Sequence, residues 1–507
     1  MKTIARFSLL AAVTGITLGC SHPEPPVSRI TIMQIEPPLT MDPGDHTASL
    51  TADVLDPIYE SLTRFDQNLQ VAPCLATRWS VDASGTRWTF QLREGVRFHD
   101  GTPFNAQAVV TSFARLLDPH RGLAGGSRVR AVIGGVQAMD AATVLFTLKA
   151  PYASFLSMLA VTWIVSPTAD KQDILSRHAV GTGPYRFVEW KTGEYVLEQR
   201  NEQYWGPRPA AAQLKWMWTS EPMLMNMSVV SGQADIVNPL PPIFAQALAR
   251  NRRVKLLQGG EARVYWLALN MKMRPLDDVR VRRALNYATD REALVQSQLR
   301  GYGTPANSPL APSDFAYDPH IEGYPYDLEK AKALLAQAGY ANGLTLKAVV
   351  QDADAELLEA LQGMWSKANV NLQIEKMEMG VFSQAIFGSP RQKAEQGIDC
   401  VFASWSAEDL DPDYQLRPLY RTQAWSPGGA NLGFYSNPHL DSLLDAAAQE
   451  LNISRRTELY RQAQQIISDD APHVLLYYSR DLAALHSGSK VEGLRLLPGG
   501  RVEFDGH

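Results

Sequence analysis

Residues 181–205, GTGPYRFVEWKTGEYVLEQRNEQYW, constrain the fold of this chain more than any other segment. Two glycines and a proline at its start predict a tight turn of the backbone. Apolar residues then alternate over 185–190, a glycine-containing turn follows, and a second apolar run begins at Tyr195. Alternation on both sides of a glycine turn is typical of a β-hairpin. The segment therefore predicts a hairpin that enters its sheet through a sharp bend.

The size and charge of the chain limit the classes of function that it can have. The chain has 507 residues and a formal net charge of −5, so it is too long for one core and gives no electrostatic footprint for nucleic acid. The sequence contains no phosphate-loop, dinucleotide or GxSxG hydrolase motif, and its 10 histidines show no metal-binding spacing. We therefore expect two or three lobes, no cofactor and no metal. The missing motifs also argue against an enzyme, although the paired acids in 405–413 leave a glycosidase open by residue type alone.

The N-terminus has the pattern of an export signal. Lys2 and Arg6 precede an apolar stretch over 7–18 that is too short to cross a bilayer, and a small residue precedes Cys20. This pattern resembles a lipoprotein processing site, which implies a signal peptide over 1–19 and lipidation of Cys20. A plain signal peptide that is cleaved nearby is the alternative. The Pro-rich residues 20–27 predict a tether, so we expect a periplasmic or other extracytoplasmic protein that is anchored in the membrane.

Hydrophobic periodicity predicts strands in the first third of the chain and a β-then-α alternation later. Apolar residues at helical spacing predict a helix over 106–117 and another that begins after Asp327 and ends at Gly339. Further helices are predicted over 356–368, 440–450 and 454–469. Short apolar runs predict strands over 344–350, 371–377 and 398–405. This order indicates an α/β lobe in the second half of the chain.

Cys74 and Cys400 are the only cysteines that follow Cys20. An oxidising compartment would allow them to form a disulfide. Cys400, however, falls in an apolar run that predicts a buried strand, and buried free cysteine is common in proteins. We therefore expect two unpaired thiols.

Five sequence blocks point to a family. Besides 181–205 they are WTFQLREGVRFHDG at 88–101, PLDDVRVRRAL at 275–285, residues 326–339, and DPD at 411–413 followed by DDAP at 469–472. In this order they resemble the blocks of the family 5 solute-binding proteins of bacterial ABC importers, the peptide-binding group. The resemblance runs from about residue 28 to about residue 499 and so covers nearly the whole chain after the predicted signal.

The resemblance implies an α/β fold, namely the two-lobe periplasmic binding protein or Venus flytrap of type II with an extra subdomain in lobe I. On this basis lobe I comprises 28–55, 180–262 and 477–507, its subdomain comprises 56–179, and lobe II comprises 263–476. The chain would cross between the lobes near 262–270 and 474–480. Both are β-like runs that could absorb the rotation of closure.

The resemblance also implies a function. The protein would be the extracytoplasmic solute-binding component of an ABC importer that captures short peptides, such as a di- or tripeptide or a glutathione-like ligand. It would deliver them to membrane permease subunits whose ATPase subunits are separate chains, and we expect it to be a monomer. Two alternatives stay open: a non-peptide ligand such as a nickel chelate, haem or an opine, and an extracytoplasmic hydrolase that uses paired acids.

One loop and two aromatic residues are candidate parts of the ligand site. Asp, Pro and Gly residues predict a turn over 42–47. The resemblance places this loop at the floor of the cleft, which makes His46 and Thr47 candidate ligand contacts. Tyr265, near the first predicted crossing, and Trp405 are candidate aromatic walls, although either ring could instead fill the core.

The acidic segment WSAEDLDPD at 405–413 is the strongest candidate for the ligand site. It contains four acids directly after a predicted buried strand. In the peptide-binding members of the family, an Asp three residues after this Trp pairs with the ammonium group of the ligand. Here that position is Glu408, and Asp409 follows it. A carboxylate–ammonium contact is a charge-assisted hydrogen bond, about twice as strong as a neutral one, but a solvated acidic loop is the alternative.

Overall fold

The structure is a computed structural model that describes residues 29–46, 48–66, 68–407, 409–489, 491 and 494–503. The predicted signal peptide, Cys20 and the tether therefore lie outside the described residues. Thr47 and Glu408, two of the predicted ligand contacts, also lie outside them.

The strands form one large sheet and three smaller ones. In chain order they are β1 (Ile30–Gln34), β2 (Thr63–Phe65), β3 (Val71–Pro73), β4 (Ala76–Val81), β5 (Arg87–Leu92), β6 (Ile133–Ala138), β7 (Thr143–Leu148), β8 (Tyr185–Lys191), β9 (Tyr195–Arg200), β10 (Gln213–Trp218), β11 (Ile236–Val237), β12 (Val254–Leu269), β13 (Gly303–Pro305), β14 (Leu344–Gln351), β15 (Val370–Met377), β16 (Cys400–Ser406), β17 (His473–His486), β18 (Arg495–Leu496) and β19 (Val502–Glu503).

The helices pack on the sheets and concentrate in the second half of the chain. They are α1 (Ser49–Leu55), α2 (Ala106–Leu117), α3 (Gly126–Val132), α4 (Phe155–Ala160), α5 (Pro167–Lys171), α6 (Pro222–Ser231), α7 (Pro242–Leu248), α8 (Val279–Tyr287), α9 (Arg291–Gln298), α10 (Leu328–Gln337), α11 (Ala355–Ser366), α12 (Met379–Ile386), α13 (Pro390–Glu395), α14 (Pro412–Tyr420), α15 (Pro438–Gln449) and α16 (Ile453–Asp470). Short 3₁₀ helices cover Pro119–Arg121, Asp352–Asp354 and Thr422–Ala424.

Two long strands connect the two halves of the main sheet. The strand order is β15-β14-β16-β12-β17-β11-β1-β10-β9-β8, with β13 pairing beside β17. β12 and β17 are antiparallel at its centre, and their register is irregular between Gln258 and Arg263. A separate four-stranded sheet, β4-β5-β7-β6, forms within the segment predicted as the subdomain.

The buried apolar residues divide the chain into two lobes. The cores of the first, lobe I, are built from residues within 30–254 and 482–502. The cores of the second, lobe II, are built from residues within 264–478. The chain thus passes between the lobes after Val254 in β12 and after Tyr478 in β17, where the register irregularity also lies. The two-lobe α/β fold is confirmed, whereas the exact domain boundaries given above stay a prediction.

Local signals in the sequence located several elements correctly. The predicted helix over 106–117 is α2, with the Asn105 side chain accepting a hydrogen bond from the Ala108 amide at its start. Asp327 caps α10 through the Lys330 amide, as its position before the apolar face indicated. The hairpin predicted within 181–205 is the antiparallel pair β8 and β9.

The sharp bend before β8 is a close contact between two backbone segments. A Cβ at Gly181 would lie 2.0 Å from the Ile58 carbonyl oxygen, and one at Gly183 would lie 2.5 Å from the Pro57 carbonyl oxygen. The Gly181 carbonyl accepts a hydrogen bond from the His99 amide at 2.9 Å. The glycine turn is therefore required because the chain leaves no room for side chains there.

The two cysteines are unpaired, as predicted. Cys74 and Cys400 are both buried and free. Burial raises the pKa of both thiols well above the usual value, so both stay protonated and unreactive. Among the described residues, no helix combines the length and the apolar character that a membrane span requires.

Candidate functional site

A cavity of about 1220 Å³ lies between the lobes. Its walls come from the loop before α1, from α2, α3 and the α4 region in lobe I, and from the end of β16, from α14 and from the 423–430 loop in lobe II. Large clefts between lobes that contain a few convergent polar groups are the default ligand sites of proteins. The cavity is therefore the candidate binding site.

Basic side chains outnumber acidic ones among the described residues that line the cavity. The basic residues are Arg115, Arg128, Lys149, Arg263, Arg417, Arg421 and Arg501, and the acidic ones are Asp53, Asp413 and Asp445. Burial raises the pKa of Asp53 well above its usual value, which favours its neutral form and reduces the negative charge further. Five of the arginines are paired with carboxylates, so Lys149 and Arg263 are the lining cations that have no ion pair within the described part of the chain.

The acidic loop after β16 contacts lobe I directly. The side chain of Asp409 is completely buried and forms an ion pair with Arg128 of α3. Burial raises the pKa of Asp409 to about 6, although the Arg128 charge acts in the opposite direction. Asp409 is not among the residues that line the cavity, so its carboxylate faces Arg128. Its predicted role toward a ligand amine stays a prediction.

Further hydrogen bonds join the two lobes beside this pair. The Tyr152 hydroxyl donates to Asp413 Oδ2 at 3.1 Å, and the Ala153 amide donates to the Ala448 carbonyl at 2.7 Å. Arg456 Nη2 of lobe II donates to Ser154 Oγ at 2.6 Å. In this conformation the two lobes are therefore in contact along one edge of the cleft.

Arg417 of α14 and Arg421, the residue that follows the helix, share the Asp445 carboxylate inside lobe II. Arg417 Nε donates to Asp413 Oδ1 at 3.0 Å and Nη1 donates to Asp445 Oδ1 at 2.8 Å. Arg421 Nη2 donates to Asp445 Oδ2 at 2.8 Å, while its buried Nε has no partner in the described part of the chain. The structure places both on the wall of the cavity.

Arg263 lies on β12 where this strand passes between the lobes. It is half-buried and lines the cavity beside Ser404 and Ser406 of the neighbouring strand β16. Its Nη1 lies 3.4 Å from Ser404 Oγ. Sequence reasoning missed this residue because an arginine within an alternating strand normally faces solvent.

The predicted loop contact His46 does line the cavity. Its ring lies 5.9 Å from the ring of Trp163, measured between centroids. Both ring nitrogens are buried and have no hydrogen-bond partner among the described residues. Burial lowers the pKa of His46, so a neutral imidazole is favoured there. Such a ring can donate one hydrogen bond to a ligand and accept one.

The two predicted aromatic walls have different surroundings. Trp405 lines the cavity, and its indole Nε1 donates to the Tyr414 carbonyl at 3.1 Å. Tyr265 packs in lobe II between Phe402 and Tyr477, with ring centroids 6.1 and 4.8 Å away. It is not among the cavity-lining residues. The ligand-binding roles of both residues stay predictions.

A cleft between two lobes joined by two long strands is typical of proteins that bind a small solute between their lobes. The chain matches the profile of the bacterial extracellular solute-binding proteins, family 5 Middle, over residues 70–427. It is 30% identical to the glutathione-binding protein GsiB of Pectobacterium atrosepticum over 514 residues, which covers 100% of this chain and 98% of the relative.

Two solved structures share the fold at similar lengths. One is the ABC transporter-associated periplasmic binding protein DppA of Helicobacter pylori in complex with the peptide STSA, with a TM-score of 0.83, 26% identity and coverage of 94% of this chain and 98% of that chain. The other is a dipeptide-binding protein of a Pseudoalteromonas species in complex with Met-Leu, with a TM-score of 0.82, 25% identity and coverage of 94% and 99%.

The chain therefore belongs to the bacterial extracellular solute-binding proteins of family 5. It is a solute-binding protein of an ABC importer and acts outside the cytoplasm. The family consists of binding proteins.

Proposed function

We propose that this protein captures short peptides that carry more carboxylate than ammonium groups, with glutathione-like tripeptides as the first candidate. The lining of the cleft has more basic than acidic residues, and Lys149 and Arg263 have no ion-pair partner among the described residues; this excess carries the proposal. Glutathione has two carboxylates and one ammonium group, so its charge complements that excess. The 30% identity to a glutathione-binding protein over the whole chain supports the same ligand class.

Closure and burial would supply the affinity. A micromolar dissociation constant corresponds to about 8 kcal/mol. A cavity of about 1220 Å³ has room for a tripeptide with bridging water, and water-mediated contacts tolerate different side chains. Backbone groups of an extended peptide can pair with strand ends and loops at the cleft. We infer that charge selects the ligand class and that water leaves the side-chain preference broad.

A binding screen with charge-matched ligands tests the proposal. Isothermal titration would compare glutathione, trialanine and a tripeptide with two lysines, together with nickel–histidine and haem. We expect glutathione to bind most tightly, trialanine more weakly and the lysine peptide most weakly. The preference should shrink as salt rises, because ions screen charges beyond about 10 Å at 0.1 M. Equal affinities for all three peptides, or binding of only nickel–histidine or haem, would contradict it.

We also propose that the protein releases its ligand without altering it chemically, and that the protein functions as a monomer. The sequence lacks hydrolase motifs, and the family consists of binding proteins. Mass spectrometry of glutathione after incubation with the protein should show no product. Light scattering should give a mass near 56.1 kDa for the full chain, or slightly less after processing. A hydrolysed peptide or a doubled mass would contradict these statements.

We propose that Cys20 is lipidated and anchors the protein to a membrane. The apolar stretch that ends in Gly19 and Cys20 supports this, and two or more acyl chains give stable anchoring. Substituting Cys20→Ser should release the protein from the membrane fraction or leave it unprocessed. If the wild-type protein carries no acyl chain by mass spectrometry, the plain signal peptide is the correct interpretation.

A further inference from the structure

We propose that Arg263 is a carboxylate-binding residue of the cleft and holds one of the two carboxylates of a glutathione-like ligand. This inference rests on the proposed function and assigns a particular residue to the ligand. The position is on β12, at the passage between the lobes, so a bound carboxylate there would lie beside both of them.

Arg263 differs from the other arginines of the cavity in its partners. Each of the others has a carboxylate oxygen within 4.0 Å: Arg115 with Asp42, Arg128 with Asp409, Arg417 with Asp413, Arg421 with Asp445, and Arg501 with Asp56. No ion pair of Arg263 is found within the described residues, and its hydrogen bond there is the one to Ser404. A half-buried guanidinium with unfilled donors is a site for an anion.

The groups around Arg263 suit an anionic ligand. Ser406 lies opposite Arg263 in the register of β12 and β16, and Ser404 and Ser406 both line the cavity. Both serines can offer hydroxyl donors to the same carboxylate. A planar guanidinium binds a carboxylate through two parallel hydrogen bonds, which a lysine cannot do.

The nearby acid Asp481 interacts with the charge of Arg263 but forms no ion pair with it within 4.0 Å. Its Oδ2 accepts a hydrogen bond from the Gly499 amide at 2.8 Å, and it forms no ion pair with a described residue. Burial raises the pKa of Asp481 to about 7, with the charge of Arg263 acting in the opposite direction. The guanidinium of Arg263 therefore has donors that no carboxylate of the described residues fills.

The test combines protein variants with altered ligands. Titration calorimetry would measure glutathione binding to wild type, Arg263→Gln, Arg263→Lys and Arg274→Gln. Arg274 is 88% exposed and its loss changes the net charge equally, so it is the matched control. We expect Arg263→Gln to weaken binding about 10- to 100-fold, Arg263→Lys to recover part of this loss, and Arg274→Gln to bind like wild type.

Two ligand analogues identify the contact. One is the glycyl monoethyl ester of glutathione, and the other has 4-aminobutyrate in place of the γ-glutamyl residue and so lacks its α-carboxylate. The analogue that lacks the carboxylate held by Arg263 should bind wild type about 10- to 100-fold more weakly than glutathione does. The same analogue and glutathione should bind Arg263→Gln with equal affinity.

The outcomes separate this inference from the proposed function. If wild type binds glutathione but Arg263→Gln binds it as tightly as Arg274→Gln does, the assignment of Arg263 is wrong and the proposed function stands. The assignment would also be wrong if each analogue bound more weakly than glutathione by the same factor in wild type and in Arg263→Gln. If wild type binds no glutathione, both proposals fail. Melting curves of each variant exclude misfolding, and Arg263→Lys keeps the charge if Arg263→Gln does not fold.

Discussion

Arg128 and Asp409 form an ion pair across the cleft, although 281 positions separate them in the sequence. The Asp409 side chain is 0% exposed and the Arg128 side chain is 22% exposed. Arg128 also stacks on Tyr414, 4.4 Å from the ring centroid. The pair therefore joins lobe I to lobe II in a place that water hardly reaches. Removing one partner of a buried pair destabilises a protein more than removing one partner of a surface pair.

Loss of Arg128 should open the cleft in a pH-dependent way. In Arg128→Met the buried Asp409 carboxylate loses its counter-ion, so at pH 8 the lobes should separate to hydrate it. Burial raises the pKa of Asp409, and loss of the Arg128 charge raises it further, so at pH 5 the group is protonated and this force disappears. Small-angle scattering of ligand-free protein should show a larger radius of gyration for the variant at pH 8 than at pH 5.

The double variant Arg128→Met/Asp409→Asn is the control for this effect. It removes both charges, so its radius of gyration should be the same at both pH values. A single variant Arg128→Met that matches wild type at both pH values would show that the pair does not hold the lobes together.

Two neighbouring acids should differ in their effect on amine recognition. The family resemblance implies that Glu408 contacts the ammonium group of the ligand, whereas the Asp409 carboxylate forms an ion pair with Arg128. We expect Glu408→Gln to weaken binding of glutathione about tenfold and to leave N-acetylglutathione unchanged. Asp409→Asn should change both affinities by a similar factor. An unchanged preference for the free amine in Glu408→Gln would contradict this prediction, and calorimetry with both ligands measures it.

Helix bounds and caps could be predicted from the sequence, whereas contacts between distant residues could not. The bounds of α2 and the cap of α10 followed from nearby residues, because periodicity and capping act within a few positions. The acidic segment at 405–413 was expected near the cleft, and Trp405 and Asp413 do line the cavity. The partner of Asp409 could not be predicted, because no pattern around Arg128 links it to a residue 281 positions away. Long-range pairs of this kind follow only from the tertiary fold.

The buried pair of Arg456 and Asp411 should be important for the stability of lobe II. The two side chains are 5% and 4% exposed, and two hydrogen bonds of 2.8 and 2.6 Å join them. Arg456→Met leaves a buried carboxylate without its partner, so urea unfolding should show a loss of about 3–5 kcal/mol. Arg455→Met, one position earlier on the exposed side of α16, is the matched control and should change stability by less than about 0.5 kcal/mol. Equal stability of the two variants would contradict the prediction.

Lys393 should make stability rise with pH above neutrality. Its side chain is buried, and its Nζ donates to the Leu432 carbonyl at 2.8 Å with no carboxylate in contact among the described residues. Burial lowers the pKa of Lys393 to about 7, against about 10.4 for an unfolded lysine. Between these values the unfolded chain binds more protons, so the free energy of unfolding increases with pH.

The variant Lys393→Met removes this dependence. The stability difference between wild type and Lys393→Met, measured by urea unfolding at intervals from pH 7 to 9.5, should shift in favour of wild type as pH rises. Lys332→Met, at a lysine of α10 whose side chain is 41% exposed, should give a curve parallel to wild type. Parallel curves for Lys393→Met as well would show that Lys393 keeps an ordinary pKa in the folded protein.

The bend before β8 should tolerate no side chain at Gly181. A methyl group there would approach the Ile58 carbonyl oxygen to 2.0 Å, and the nearest atoms, in Ile58 and Tyr59, are all backbone atoms that cannot rotate away. Gly181→Ala should therefore lower the free energy of unfolding by about 2–3 kcal/mol. Gly363→Ala is the matched control: this glycine lies inside α11, and no atom comes within 4 Å of its added Cβ. That substitution should raise stability by about 0.5–1 kcal/mol, because alanine favours a helix. Urea unfolding of both variants measures the contrast, and a neutral Gly181→Ala would show that the two segments can separate at little cost.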